Sequence, residues 1–200
     1  MRKTSEKAVA RLCASGAIET EDREVYEYAL NILLMGVLHS LTVLFIGLLL
    51  GMFLESLVLF STFFLARKFA GGYHASKHWQ CYLFTVVTVT GALLLASLLL
   101  TQSSVFFYVL LAVSALAIFL LAPVEHANKP LSAKEKKVYR LISWAICVVL
   151  AGLSIAFFQW ISPSVGLAVN MGLMLCAFAL VLAVVEKQLR AKKADSMVLG

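Results

Sequence analysis

The chain has 200 residues, of which 62% are hydrophobic and 14% charged, with a formal net charge of +6 at pH 7. A soluble globular domain is roughly 45–50% apolar and about 25% charged, so this composition excludes that class and points to a membrane protein. No disulfide framework is expected of four cysteines placed in predicted spans (Cys147, Cys176) and on a reducing cytoplasmic side (Cys13, Cys81), and no nucleic-acid reader motif accompanies the basic residues.

Residues 1–27 form a charged segment with no apolar stretch or small-residue cleavage site of a signal peptide, so the first span is expected to act as an uncleaved insertion signal. Within it, residues 4–18 read as a short amphipathic helix. Lys3, Lys7 and Arg11 recur every four residues on one side, with Val9, Leu12 and Cys13 on another. That pattern suits a helix lying on the inner membrane surface, and equally a polar tail packed on a loop. Gly16 is expected to end it. Thr20, followed by Glu21, Asp22 and Glu24, then reads as an N-cap with acids in the first turn, from which a helix runs into the first span.

Residues 28–66 are too many for one crossing, because 39 residues at ~1.5 Å each reach about twice a ~30 Å hydrocarbon core. Two helices with a turn near residues 47–51 are expected. Residues 82–100, 105–122, 141–161 and 165–185 each supply one further span. The expected fold is therefore all-α: one polytopic membrane domain with six transmembrane helices and an amphipathic N-terminal helix. His39 and Glu55 are the ionisable residues inside the first two spans. Glu55 is expected near the outer turn, and His39 to be neutral and satisfied by a neighbouring helix.

Basic residues set the orientation. Lys and Arg number five in residues 1–25, three in 67–79, five in 123–140 and four in 186–200, which accounts for all 17. The short connections near 47–51, 101–104 and 162–164 have none. By the positive-inside rule, both termini and both longer loops are expected on the cytoplasmic side of the membrane. Such a face suits anionic lipid headgroups or an acidic peptide segment.

Chemistry is concentrated in residues 67–81, which read Arg67-Lys-Phe-Ala-Gly-Gly-Tyr-His74-Ala-Ser-Lys-His-Trp-Gln-Cys81. A thiol near an imidazole and several basic groups has the ingredients of an activated nucleophile, and the alternative is a quiet residue at a helix start. On one continuous helix, His74 and Cys81 would lie about 10 Å apart along the axis, too far for direct proton transfer. A productive pair needs a break, which Gly71-Gly72 permits before His74 and Ser76 could cap after it. His74, His78 and Cys81 could also ligate zinc, but the set lacks a general-base acid and a further ligand, so neither metal nor cofactor is expected. Arg67 could hold an oxyanion or a carboxylate, or simply mark the inner end of span two.

The second long loop, 123–140, carries Pro123 and Asn128-Lys129-Pro130-Leu131, and Ser132 with Glu135 matches a capping box that would start helix five about two turns before the membrane. Asn128 or Glu125 could orient His74, although an Asn beside Lys-Pro is first of all a turn residue. Cys147 and Cys176 fall inside spans and read as small hydrophobes.

Arg67, Gly72, His74 and Cys81, with seven residues between the His and the Cys, together with Pro123 and the Asn128–Leu131 run, resemble the AgrB-type (accessory gene regulator protein B) membrane peptidases. The resemblance covers essentially the whole chain. It implies a cysteine endopeptidase with Cys81 as nucleophile and His74 as general base and acid. Arg67, Gly72, Asn128 and Lys129 would shape the site or bind substrate. The implied partner is a small AgrD-like quorum-sensing precursor with an acidic C-terminal tail, which would be cut from the signal segment through a Cys81 thioester that then cyclises to a thiolactone or lactone. A homodimer is implied by the resemblance alone. The alternatives are a non-catalytic membrane scaffold or a peptide transporter. Against the transporter, residues 82–100, 105–122, 141–161 and 165–185 contain no Asp, Glu, Lys, Arg or His.

Overall fold

The computed structural model describes the backbone of residues 2–72, 78–102, 104–124 and 132–198. Its helices are α1 (Arg2–Ala14), α2 (Arg23–Leu49), α3 (Phe53–Ala70), α4 (His78–Leu99), α5 (Ser104–Leu121), α6 (Ala133–Ala156) and α7 (Pro163–Val198). Two compact units divide the chain at residues 1–42 and 43–200, so α2 contributes to both.

In the first unit, α1 stops where the sequence places its stop. Gly16 takes φ 72°, the Gly16 N–H donates to the Cys13 carbonyl at 3.0 Å, and the Ala17 N–H donates to Leu12 at 3.1 Å. This is the left-handed glycine ending that ties up the last carbonyls of a helix. Thr20–Asp22 form a single 3-10 turn rather than a lone N-cap, and α2 follows directly. Arg23 Nε lies 2.7 Å from Glu27 Oε1 one turn on, an exposed pair of small energetic weight. His39 Nδ1 donates to the Met35 carbonyl at 2.7 Å, so its own helix supplies a partner.

In the second unit, the expected break in residues 28–66 falls at 50–52. Gly51 takes φ 68°, and the Met52 N–H donates back to Gly47 at 2.7 Å. A Cβ on Gly47 would collide with the Ser56 side chain, so the hairpin closes only because position 47 has none. Glu55 lies in the first turn of α3, beside this connection, where a carboxylate suits the positive end of the helix. The Ser132–Glu135 capping box forms in full: Ser132 Oγ accepts from the Glu135 N–H at 3.3 Å, and the Glu135 carboxylate accepts from the Ser132 N–H at 2.8 Å. α6 ends in a π turn, Phe157–Ile161, and α7 starts on Pro163, whose missing N–H costs nothing at a first helical position.

The core is organised around α7, which packs against α3, α4, α5 and α6. In its most apolar stretch 67% is buried, against 22% for α4, α5 and α6. Gly172, Cys176 and Ala179 fall at i, i+4 and i+7, one face of that helix. There α3 approaches closely: a Cβ on Gly172 would lie 2.6 Å from the Thr62 Cβ and 2.8 Å from the Leu59 carbonyl oxygen. Small residues at such a seam let backbones meet where no hydrophobic drive separates helix from lipid. At the far end of the bundle from Arg67, fully buried Asn170 donates to the Phe107 carbonyl at 3.0 Å, and Ser154 to the Gly166 carbonyl at 2.8 Å. The Phe107 and Phe158 rings stack with centroids 3.9 Å apart.

Among the described residues, five helices are long and apolar enough to cross a membrane: α2, α4, α5, α6 extended through its π turn, and α7. Six crossings were expected. The sixth helix, α3, is present with 18 residues, but Glu55, Arg67 and Lys68 interrupt its apolar character. Its place in the bundle rests on packing against α7 rather than on composition.

Gly172→Ala should lower the thermal unfolding midpoint in detergent micelles, because overpacking a filled seam costs about 1–3 kcal/mol. Gly152→Ala, where an added Cβ meets nothing within 4 Å, should leave it unchanged.

Candidate functional site

Three chain segments converge at the Arg67 end of the bundle. The first is the last turn of α3, which carries half-buried Arg67. Its guanidinium carbon lies 5.4 Å from the centre of the Phe63 ring, one turn back, a cation–π distance. The thiols of Cys81 and Cys176 lie within electrostatic range of the half-buried guanidinium. Arginine stays protonated at any physiological pH. A fixed positive charge therefore stands within electrostatic reach of the candidate nucleophile.

The second segment is the start of α4. This helix begins at His78, so Cys81 lies in its first turn, half-buried. The Thr85 hydroxyl donates to the Cys81 carbonyl at 3.0 Å, and the Phe84 ring stacks parallel to Phe178 of α7 at 6.0 Å. One turn of α4 is thus docked on the central helix, and that fixes the direction from which Cys81 emerges.

The third segment is the pair of chain crossings beyond α3 and α5. Gly71 ends α3 with φ 80° and ψ −153°, and its N–H donates to the Arg67 carbonyl at 3.0 Å. Gly71 and Val124 form an isolated parallel bridge, in which the Val124 N–H donates to the Ala70 carbonyl at 3.0 Å. A Cβ on Gly71 would collide with the Val124 carbonyl oxygen. Gly72, buried with φ 141°, would place a Cβ 3.3 Å from that of Ala179. Both glycines occupy backbone conformations that other residues rarely adopt, and both are pressed against neighbours. Gly71, three residues before His74, and Val124, four before Asn128, therefore adjoin each other.

Of the residues singled out from sequence, the structure describes Arg67, Gly72 and Cys81, with Cys81 within electrostatic range of Arg67 and Gly72 against Ala179 of α7. His74, Asn128 and Lys129, with Ser76 and Glu125, lie outside the described residues. Among the described residues no three His, Cys, Asp or Glu side chains gather as a metal ligand set. Cys147 and Cys176 are both buried, as expected for spans. Sequence reasoning missed two things. Cys176 is a neighbour of Arg67, which the Gly172–Cys176–Ala179 spacing of small residues could have signalled. The Gly71–Val124 pairing had no sequence signal, since nothing in either segment names its partner.

A family model described as Accessory gene regulator B matches residues 5–185. AgrB-like protein 1 of Clostridium perfringens strain 13 is 26% identical over 169 residues, which is 82% of this chain and 89% of that protein. An AgrB-like protein of Clostridium perfringens strain SM101 is 26% identical over 125 residues, 60% of this chain and 58% of that protein. No solved structure matches the chain.

Gly71→Ala should destabilise the Arg67 end of the bundle by about 1–3 kcal/mol, the usual cost of a side chain forced into a glycine-only backbone region. Chemical denaturation in mixed micelles would register this, and limited proteolysis should cut faster within residues 125–131.

Proposed function

Because the chain belongs to the accessory gene regulator B family, we propose that it is a membrane cysteine endopeptidase that removes the C-terminal tail of a small AgrD-like precursor and supports cyclisation of the signal segment. The observation that carries this reading is the placement of half-buried Cys81 on the first turn of α4, within electrostatic range of the half-buried Arg67. A thiol near a fixed positive charge and at a helix start is the kind of environment that favours thiolate chemistry.

In the proposed reaction His74 takes the Cys81 proton as the sulfur attacks the scissile carbonyl. The tetrahedral oxyanion collapses, His74 returns the proton to the departing amine, and the tail leaves. The signal segment remains as a thioester on Cys81. A Cys or Ser within that segment then attacks the thioester carbonyl, closes the thiolactone or lactone, and releases Cys81 as a thiol. Thioester to thiolactone is nearly balanced in energy, so the competing loss is hydrolysis, which exclusion of water at the lipid boundary would limit. Arg67 would stabilise developing negative charge, and Gly72, Asn128 and Lys129 would shape the site or bind substrate. Neither metal nor cofactor enters this scheme.

Topology follows the same reading. The connection at 50–52 has no Lys or Arg and residues 67–79 have three, so the positive-inside rule sets them on opposite sides and makes α3 a crossing. At 18 residues and ~1.5 Å per residue, α3 reaches about 27 Å, close to the core thickness. Six crossings result, with both termini, α1 and the catalytic loop on the cytoplasmic side. A homodimer is part of the proposal by family membership.

The deciding experiment is co-expression with the short peptide encoded beside the gene, read by mass spectrometry of precursor and fragments. Wild type should release the acidic tail. Cys81→Ala and His74→Ala should each lower cleavage by about 1,000-fold or more while the protein still accumulates in the membrane, as expected for members of one catalytic unit. Chelators should have no effect. Cleavage that persists in Cys81→Ala would remove the proposed nucleophile, and chelator-sensitive cleavage would favour a metal site.

A further inference from the structure

The first two turns of α6 carry Lys134, Lys136, Lys137 and Arg140, all exposed. The acid among them, Glu135, is engaged in the capping box, where its carboxylate accepts from the Ser132 N–H. No ion pair among the described residues involves Lys137 or Arg140. Along the helix, Lys137, Arg140, Leu141, Trp144 and Val148 recur at spacings of three and four, which places them on one face. The basic turn of that face leads directly into an exposed apolar stripe, with Leu141 67% and Val148 60% exposed. Between the two stands Trp144, whose indole N–H donates to the Phe119 carbonyl at 3.2 Å and whose ring lies 5.6 Å from that of Phe119. The α6 face is thereby joined to the end of α5, where Leu116 and Leu120 are also exposed.

We propose that Lys137 and Arg140 bind the phosphate of an anionic phospholipid, with its acyl chains lying along the seam between α5 and α6. Charge complementarity selects the headgroup. The place of the two bases at the inner end of a span selects a lipid over an acidic peptide, since Leu141 and Val148 lie where bilayer chains run and a headgroup is held at the level of Arg140. Trp144 sits about 6 Å along the axis from Arg140, at the level where amphipathic rings favour the boundary of headgroup and chain. Two cations three residues apart can share one phosphate, and bases next to a membrane contribute about 1 kcal/mol each toward anionic lipid. This site is independent of the peptidase chemistry, because neither residue belongs to the proposed catalytic machinery.

The test uses the full-length protein, purified in a zwitterionic detergent and titrated with phosphatidylglycerol or phosphatidylcholine, with adducts read by native mass spectrometry. Phosphatidylglycerol should be retained about 10-fold or more over phosphatidylcholine, and Lys137→Gln with Arg140→Gln should weaken its binding roughly 25-fold, about 5-fold per charge. Both positions are exposed, so the variant should fold, with an unchanged unfolding midpoint as the check. Lys7→Gln with Arg11→Gln removes the same charge from α1 and should change retention less than about 2-fold. Equal retention of the two lipids, or equal losses in the two double variants, would overturn the site. Displacement of phosphatidylglycerol by an equimolar acidic decapeptide would reassign the face to peptide, and glycerol phosphate, which lacks chains, should not compete.

Discussion

Close contact between α3 and α7 is the constraint on which the remaining architecture depends. Gly172 brings the α7 backbone against Thr62 and the Leu59 carbonyl, and Gly72 meets Ala179 where the same face of α7 continues. In lipid, helices gain little by hiding apolar surface from one another, so association rests on packing and on the few polar groups that reach across. A glycine at each end of the seam leaves the buried residues Cys176 and Ala66 between them. The two helices can therefore run side by side as far as the point where α3 must end.

That ending has consequences for chemistry. The last turn of α3 carries Arg67, a group expensive to bury, and it is half-buried there. Charges retained in such places are uncommon without a role, and the thiols of Cys81 and Cys176 lie within electrostatic range of this one. Under the peptidase reading, a half-buried cation near the nucleophile stabilises developing negative charge more strongly than the same cation would in water. The cost is then borne by the packing of the bundle, remote from the reacting atoms.

The crossing of two chain segments at Gly71 and Val124 has a different logic. A backbone amide and a carbonyl are satisfied between segments that sequence separates by about fifty residues, at the place where helical hydrogen bonding stops. The pairing holds residues 70–72 and Val124 in place relative to one another. Their loss of conformational freedom has already occurred on folding. Gly71 and Gly72 serve this crossing through their backbone angles and through the absence of a side chain, which a flexible hinge would not require.

Much of this was legible from residue order alone. Apolar stretches longer than a bilayer core dictated helices, since only internally hydrogen-bonded segments can cross lipid. Gly16, the Ser132–Glu135 box and the break near Gly51 fixed helix ends, because capping is chemistry between residues a few positions apart. The thiol, the imidazole and the basic run were likewise readable as types and spacings. Composition did not certify α3, whose three charged residues break the apolar pattern, and it miscast Thr20, which starts a 3-10 turn. What only the tertiary structure decided were relations between distant segments: α7 at the centre, Cys176 beside Arg67, and Val124 against Gly71. A one-dimensional pattern encodes which face of a helix is small or apolar. Which other face it meets depends on the shapes of both surfaces at once, and those exist only when the helices are packed.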